Sequence, residues 1–68
     1  GLPEGALAGA VTDACEKLGW DVYWAHEVNG AYATIFDHSS NEIAASSGKP
    51  SSDEAVALAV LEAMEKNK

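Results

Sequence analysis

Two runs of β-branched and aromatic residues, at positions 21–28 and 31–36, restrict this chain to folds that contain a β-hairpin. Between the runs lies Asn29-Gly30, a dipeptide whose two residues both tolerate the positive φ angles of a tight hairpin turn. A two-residue turn at this dipeptide would place Trp24 opposite Ile35. The sequence therefore predicts two antiparallel strands joined at Asn29-Gly30.

Side chains alternate between the two faces of a sheet, so this pairing also predicts which residues lie together. One face would carry Val22, Trp24, His26, Ala33 and Ile35. The other would carry Tyr23, Ala25, Glu27, Tyr32, Thr34 and Phe36. A three-residue turn with a bulge would mix the two sets, because a slip of one residue changes the face on which a side chain lies. The pattern leaves this alternative open.

A helix is predicted before the hairpin, over residues 3–18. Pro3 and Glu4 suit a first helical turn, and Gly19 suits the left-handed conformation that ends a helix. Apolar residues recur at helical spacing along one side, at Leu7, Val11, Ala14 and Leu18. The other side carries residues small enough to let another element approach closely, namely Gly5, Ala6, Gly9, Ala10 and Ala14.

The second half of the chain predicts a short edge strand and a second helix. Residues 42–46 fit a weakly apolar strand, residues 46–50 a loop, and residues 52–66 a helix. Ser51 and Glu54 have the spacing of a capping box at the start of that helix. Because residues 55–61 are apolar on every side, we expect the sheet and the first helix to cover this helix on more than one side.

The element order predicts an α+β fold, α-β-β-β-α, in which a three-stranded antiparallel meander sheet is covered by two helices in one domain, residues 1–68. Thirteen of the apolar residues are alanines and only nineteen are larger, so the core must be compact or shared with a partner. If both helices cover the Trp24/Ile35 face, the aromatic side chains of the other face are exposed. If one helix lies on each face, both sets are buried, and the sequence leaves both arrangements open.

The charged residues and the single cysteine exclude several classes of function. Eleven carboxylates and four lysines, with no arginine, give a formal net charge of −7, so we expect no direct binding of nucleic acid. Cys15 alone forms no intramolecular disulfide and no cysteine-rich zinc module. No apolar run approaches the about 20 residues that cross a bilayer, and the start lacks a basic signal-peptide region. We therefore expect a cytoplasmic protein without membrane association.

No group of residues has the spacing of a catalytic or metal site. The predicted hairpin places His26 and His38 toward opposite ends of the strands, whereas a metal needs three or four converging ligands. Cys15 has no histidine at the spacing that activates a nucleophile, and a buried or boundary position suits it better. We expect no enzymatic activity, no cofactor and no bound metal.

The chain resembles the small phage and prophage proteins called phage ABA sandwich domains. The likeness covers nearly the whole chain and consists of the N-terminal amphipathic helix, Trp20, the hairpin segment 32–35, the strand segment 43–46 and the helix segment 52–63. The resemblance implies a viral or prophage origin and an accessory role. That family has no established catalytic residues to carry over.

The element order is also similar to that of double-stranded RNA-binding domains, whose second helix likewise follows a Gly/Ser/Lys loop. Those domains need lysines at the start of that helix to meet phosphates. This chain has Ser52, Asp53 and Glu54 there, and Lys49 is the only nearby cation. We therefore expect a similar topology without the RNA-binding function.

An exposed aromatic face and an excess of carboxylates together indicate a protein that binds another protein. The candidate interface residues are Tyr23, Tyr32, Thr34 and Phe36, and the candidate acidic contacts are Glu27, Asp37, Glu42, Asp53 and Glu54. A compact anionic protein can occupy a basic groove built for nucleic acid. We expect a homodimeric phage or prophage accessory protein, an inhibitor of a host defence or nucleic-acid-handling complex. The aromatic face would serve either for dimerisation through the sheet or for docking to the partner protein.

Three other interpretations stay open, and one of them is a purely structural component of the virion. Dispersed carboxylates are also typical of a surface that is simply solvated. A different class of function would be the sequestering of a small molecule or nucleotide in a pocket at a dimer seam, lined by Trp20, Trp24, His26 and Tyr32. Because cationic donors are scarce, such a pocket would suit an apolar or cationic ligand better than an anionic one.

Overall fold

A computed structural model describes residues 5–66 and places two helices on one face of a three-stranded antiparallel sheet. The elements are α1 (Ala6–Lys17), β1 (Asp21–Glu27), β2 (Gly30–Phe36), β3 (Glu42–Lys49) and α2 (Ser52–Lys66). The strand order is β1-β2-β3, so β2 is central and β3 is an edge, as predicted. The predicted α+β fold with the order α-β-β-β-α is confirmed.

Glycines in the left-handed region mark both ends of α1. Gly5 precedes the helix as its N-cap with φ +92°, so α1 begins at Ala6; the predicted start at Pro3 lies outside the described residues. At the other end Gly19 has φ +85°, and the N–H of Trp20 donates to the carbonyl of Cys15 at 3.0 Å. That bond closes a Schellman motif at the predicted stop.

The face of α1 that packs on the core differs from the predicted one. Ala8 and Cys15 are buried, whereas Leu7 and Leu18 are 48% and 68% exposed. Ala14 is exposed as well. Val11 is therefore the one residue of the predicted apolar stripe that packs against the buried cluster. Ala8 lies beside the start of α2, where its N–H donates to Asp53, so this turn of α1 faces the core with its small residue and leaves Leu7 exposed.

The small residues of α1 also differ from each other in what they contact. A Cβ on Gly5 would lie 3.2 Å from Cη2 of Trp24, so the indole ring packs directly over this residue. A Cβ on Gly9 would meet no heavy atom within 4 Å. The predicted close approach is therefore present at Gly5 and wrong at Gly9.

The hairpin forms, but its turn lies one residue earlier than predicted. Glu27 pairs with Gly30 and Trp24 with Ala33, so the turn residues are Val28 and Asn29. Asn29 has a negative φ, which excludes the type I′ turn, and Gly30 has φ +121°. Because every partner in β2 moves by two residues, the predicted division of the side chains between the two faces is retained.

β3 is three residues longer than predicted because a bulge lets it continue past the expected end. Ala33 pairs with Ser46 and Ala31 with Lys49, so β3 carries one extra residue in this interval. Gly48 lies there with φ +68°, a conformation that favours glycine. Residues 46–49, predicted as a loop, therefore belong to the sheet.

The core lies between the helices and one face of the sheet and consists mainly of alanine. Ile35 and Val56 are the largest fully buried apolar side chains. Around them are buried alanines from α1, β2, β3 and α2, namely Ala8, Ala31, Ala33, Ala44, Ala55, Ala59 and Ala63. Both helices thus share one core with the Ile35 face, and the arrangement with one helix on each face is not observed.

α2 has the predicted bounds and a capped start, but one of its sides is open. The N–H of Glu54 donates to Oγ of Ser51 at 3.2 Å, as the capping box predicts. Oγ of Ser46 donates to the carbonyl of Ala55 at 2.8 Å and connects β3 to α2. α2 packs against both the sheet and α1, as expected, while Leu58, Leu61 and Met64 are exposed on its outer side.

Asp53 connects the two helices, since its Oδ1 accepts the N–H of Ala8 at 2.9 Å. Gly5 has no side chain to cap α1, so Asp53 supplies the missing acceptor from another element. We expect Asp53→Ala to lower the free energy of unfolding by about 1–2 kcal/mol, as loss of an N-cap does. Asp53→Asn should have a smaller effect because it keeps an acceptor oxygen.

Urea denaturation measures these differences. The exposed Asp13 of α1 provides the control, because its replacement by alanine should change the unfolding free energy by less than about 0.5 kcal/mol. Equal effects of Asp53→Ala and Asp13→Ala would show that the bond to Ala8 contributes no stability.

Candidate functional site

The sheet face turned away from the helices carries the predicted interface residues, and we call it the aromatic face. Direct pairing places Tyr23 opposite Thr34, Ala25 opposite Tyr32, and Asp21 opposite Phe36. Tyr23 is 61% and Tyr32 37% exposed, while Thr34 and Phe36 are half-buried. Tyr23, Tyr32, Thr34 and Phe36 therefore lie together on an open surface.

Two of the rings on the aromatic face form a corner. The ring centroids of Tyr23 and Phe36 are 5.7 Å apart and the ring planes meet at 77°, an edge-to-face contact. With Asp21 and Ser40 they line an open depression of about 400 Å³. This shape suits one side chain of a docked partner better than the enclosure of a free ligand.

Carboxylates border the aromatic face. Phe36 lies between Asp21 on β1 and Glu42 on β3, and Glu27 lies on the same face at the other end of β1. All three are exposed. Among residues 5–66, Lys17 and Lys66 lie on the helices and Lys49 pairs with the inward-facing Ala31, so no lysine lies among these carboxylates. The aromatic face is therefore apolar at its centre and negative at its border.

Asp37 organises the turn between β2 and β3 with its own carboxylate. Its Oδ1 accepts the N–H of Ser39 at 2.8 Å and that of Asn41 at 3.0 Å. The bond from the Asn41 backbone is the main reason why the pKa of Asp37 lies below its ordinary value, and the bond from Ser39 acts in the same direction. Ser40, with φ +65°, is held at the edge of the depression by this turn.

The five predicted acidic contacts therefore fall into three groups. Glu27 and Glu42 border the aromatic face, whereas Asp37 and Asp53 accept hydrogen bonds within the protein. Glu54 is exposed at the start of α2, on the opposite side of the sheet. The sequence argument missed Asp21, although its alternation with Tyr23 could have identified it, and nothing in the sequence indicated Ser40.

The residues considered for metal or nucleophilic chemistry do not converge. His26 lies opposite Ala31 on the helix-covered face, and His38 lies in the turn after β2. No group of three or more His, Cys, Asp or Glu within residues 5–66 could hold a metal ion. Cys15 is buried, and this burial raises the pKa of its thiol, which favours the neutral form.

The pocket considered for a small molecule is not assembled within one chain. Trp24 and His26 lie on the helix-covered face, and Trp20 packs against the core. Tyr32 lies on the aromatic face, on the other side of the sheet.

Neither helix among residues 5–66 has the length and apolar character that spanning a membrane requires.

Comparisons with protein-family models, with curated proteins and with solved structures find no match to this chain.

Proposed function

We propose that this protein acts by binding another protein through the aromatic face and performs no catalysis. The observation that carries the proposal is the uncovered face on which Tyr23, Tyr32 and Phe36 lie among Asp21, Glu27 and Glu42. Apolar centres with polar borders are typical of protein interfaces. Among the described residues, the charged side chains at the border are all carboxylates, so the matching partner surface is basic.

The resemblance to phage ABA sandwich domains suggests where such a partner is found. We propose a phage or prophage accessory protein that inhibits a host defence or nucleic-acid-handling complex in the host cytoplasm. A groove that binds nucleic acid is lined with lysine and arginine, and carboxylates can replace the phosphates there. The formal charge of −7 would also speed association with such a groove at low ionic strength.

The size of the aromatic face limits the affinity that it can provide. Three strands about 4.8 Å apart with seven residues of about 3.4 Å each give an area of about 350 Å². A standard interface buries about 800 Å² on each partner, so the adjoining turns must contribute as well. We therefore expect weak, salt-dependent binding unless the partner also contacts the fully exposed Val28 in the hairpin turn.

A capture experiment with matched variants tests this proposal. Immobilised wild-type protein and the double variant Tyr23→Ser/Phe36→Ser are incubated with bacterial lysate at 50 mM and 500 mM salt, conditions between which the Debye length falls about threefold. We expect the wild type to retain basic proteins, identified by mass spectrometry, at low salt only. The double variant should lose them.

The control variant is Leu18→Ser, which removes an exposed apolar side chain beyond the end of α1. It should retain the same proteins as the wild type. Retention that is equal for the double variant and the wild type, or insensitive to salt, would contradict binding through the aromatic face. Circular dichroism establishes that each variant is folded.

We further propose that the expected homodimer forms through α2 and leaves the aromatic face free. A two-fold contact between two aromatic faces would bring like charges together, which is unfavourable. The outer side of α2 instead offers Leu58, Leu61, which is 58% exposed, and Met64. Antiparallel packing of two copies of α2 around this stripe would bury these three side chains against one another.

Sedimentation equilibrium tests this interface. We expect the wild type to dimerise and Leu61→Glu to be monomeric, because the buried charge has no partner. Tyr23→Ser should leave the dimer intact. Monomeric wild-type protein, or a dimer that Tyr23→Ser disrupts, would contradict the assignment to α2.

A further inference from the structure

The depression on the aromatic face has the walls of a site for an organic cation. The Tyr23 and Phe36 rings meet nearly at right angles and form two of its sides. The electron-rich face of an aromatic ring attracts a cation placed above it. Asp21 completes the lining with a carboxylate, and Ser40 adds a hydroxyl.

We infer that this depression receives an arginine side chain of the partner. The inference rests on the proposed function, because the arginine belongs to the docked protein. A guanidinium group is planar, so it can stack on one ring while its N–H groups donate to the Asp21 carboxylate. Glu42, which pairs with Phe36 from the other strand, adds a second negative charge beside the site.

Two features favour guanidinium over other occupants. Within residues 5–66, an anion on this face would meet the carboxylates of Asp21 and Glu42 and no lysine. An apolar side chain would form no hydrogen bond with Asp21. A lysine ammonium is a compact, strongly hydrated charge that neither stacks on a ring nor binds a carboxylate through two parallel bonds. Asp37 contributes indirectly as a positioning residue, since its bonds hold the turn that places Ser40 at the edge of the depression.

Titration with amino-acid derivatives tests the site apart from any partner. Amide chemical shifts of the whole protein are followed by NMR while N-acetylarginine amide, the uncharged N-acetylcitrulline amide or N-acetyllysine amide is added. We expect the arginine derivative to shift the amides of Asp21, Tyr23, Phe36 and Ser40. The citrulline derivative should bind about tenfold more weakly, because charged hydrogen bonds are lost.

Variants divide this effect between ring and carboxylate. Asp21→Asn should weaken binding of the arginine derivative by about tenfold, and Tyr23→Leu by about threefold, since it removes a cation–π contact at an exposed site. Tyr23→Phe keeps the ring and should bind like the wild type. Leu18→Ser is the control and should also bind like the wild type.

Equal binding of the arginine and citrulline derivatives, or equal binding by the wild type and Asp21→Asn, would overturn the site. Equal binding of the lysine derivative would overturn its assignment to guanidinium. These failures are distinguishable from failure of the proposed function, because lysate proteins can still be lost from the Tyr23→Ser/Phe36→Ser variant when no arginine derivative binds. Conversely, arginine binding without any captured protein would leave this site standing and contradict the proposed function.

Discussion

Replacement of Gly30 by alanine is expected to destabilise the protein by at least about 2 kcal/mol, because two independent constraints meet at this position. Gly30 has φ +121°, which side-chain-bearing residues rarely adopt. A Cβ there would lie 3.0 Å from the Cα of Gly48 and 3.3 Å from the backbone N of Lys49. Backbone atoms of β3 cannot move aside without disturbing the pairing of β2 with β3.

Thermal unfolding measures this effect, and the expected decrease in melting temperature is at least about 8 °C for a domain of this size. Gly9→Ala is the matched control, because the same methyl group enters open space on a helix. That variant should gain about 1 kcal/mol from the higher helix propensity of alanine. A Gly30→Ala variant as stable as the wild type would show that β2 and β3 are not in the contact described.

Ile35→Ala is expected to have the second large effect, a loss of about 2–5 kcal/mol in unfolding free energy. Ile35 is fully buried on β2, the central strand of the sheet, and is the largest such side chain in the core. Its neighbours are mostly alanines, which have no longer side chains to fill the space left behind. A small domain has a total stability of only about 3–5 kcal/mol, so the variant should be largely unfolded at 25 °C.

Far-UV circular dichroism and urea titration check this expectation. Ile35→Val should lose only about 0.5–1.5 kcal/mol because one methylene is removed. At protein concentrations low enough to keep the protein monomeric, Leu61→Ala should change the unfolding free energy by less than about 0.5 kcal/mol, because the Leu61 side chain is largely exposed. A folded Ile35→Ala variant with near wild-type stability would contradict the core assignment.

The local sequence pattern predicts the faces of the hairpin but not the position of its turn. Alternation depends only on neighbouring residues, so Tyr23, Tyr32, Thr34 and Phe36 were placed on one face correctly. The turn position depends on a contact between strands that are distant in sequence. Gly30 is needed where β2 passes close to Gly48, and the turn therefore forms at Val28 and Asn29.

Contacts between residues distant in sequence also explain the other differences between the predicted and the observed structure. Ser47-Gly48 has the composition of a loop, and only the pairing of β3 with β2 makes it part of a strand. The leucines of α1 repeat at helical spacing, but the residue of α1 that lies against the start of α2 is Ala8, and the leucines are exposed. Asp53 is predicted as a contact for a partner protein. In the structure its carboxylate accepts a hydrogen bond from Ala8, which lies 45 residues earlier in the sequence, and local sequence patterns do not indicate such a bond.

The bulge in β3 has a consequence for how copies of this chain can misassociate. Exposed strand edges are templates on which further strands assemble into fibres. The irregular backbone around Gly48 makes β3 a poor template, whereas β1 pairs with β2 without interruption over its seven residues. We therefore expect strand addition at the β1 edge, and two molecules that join there would leave no second regular edge for continued polymerisation.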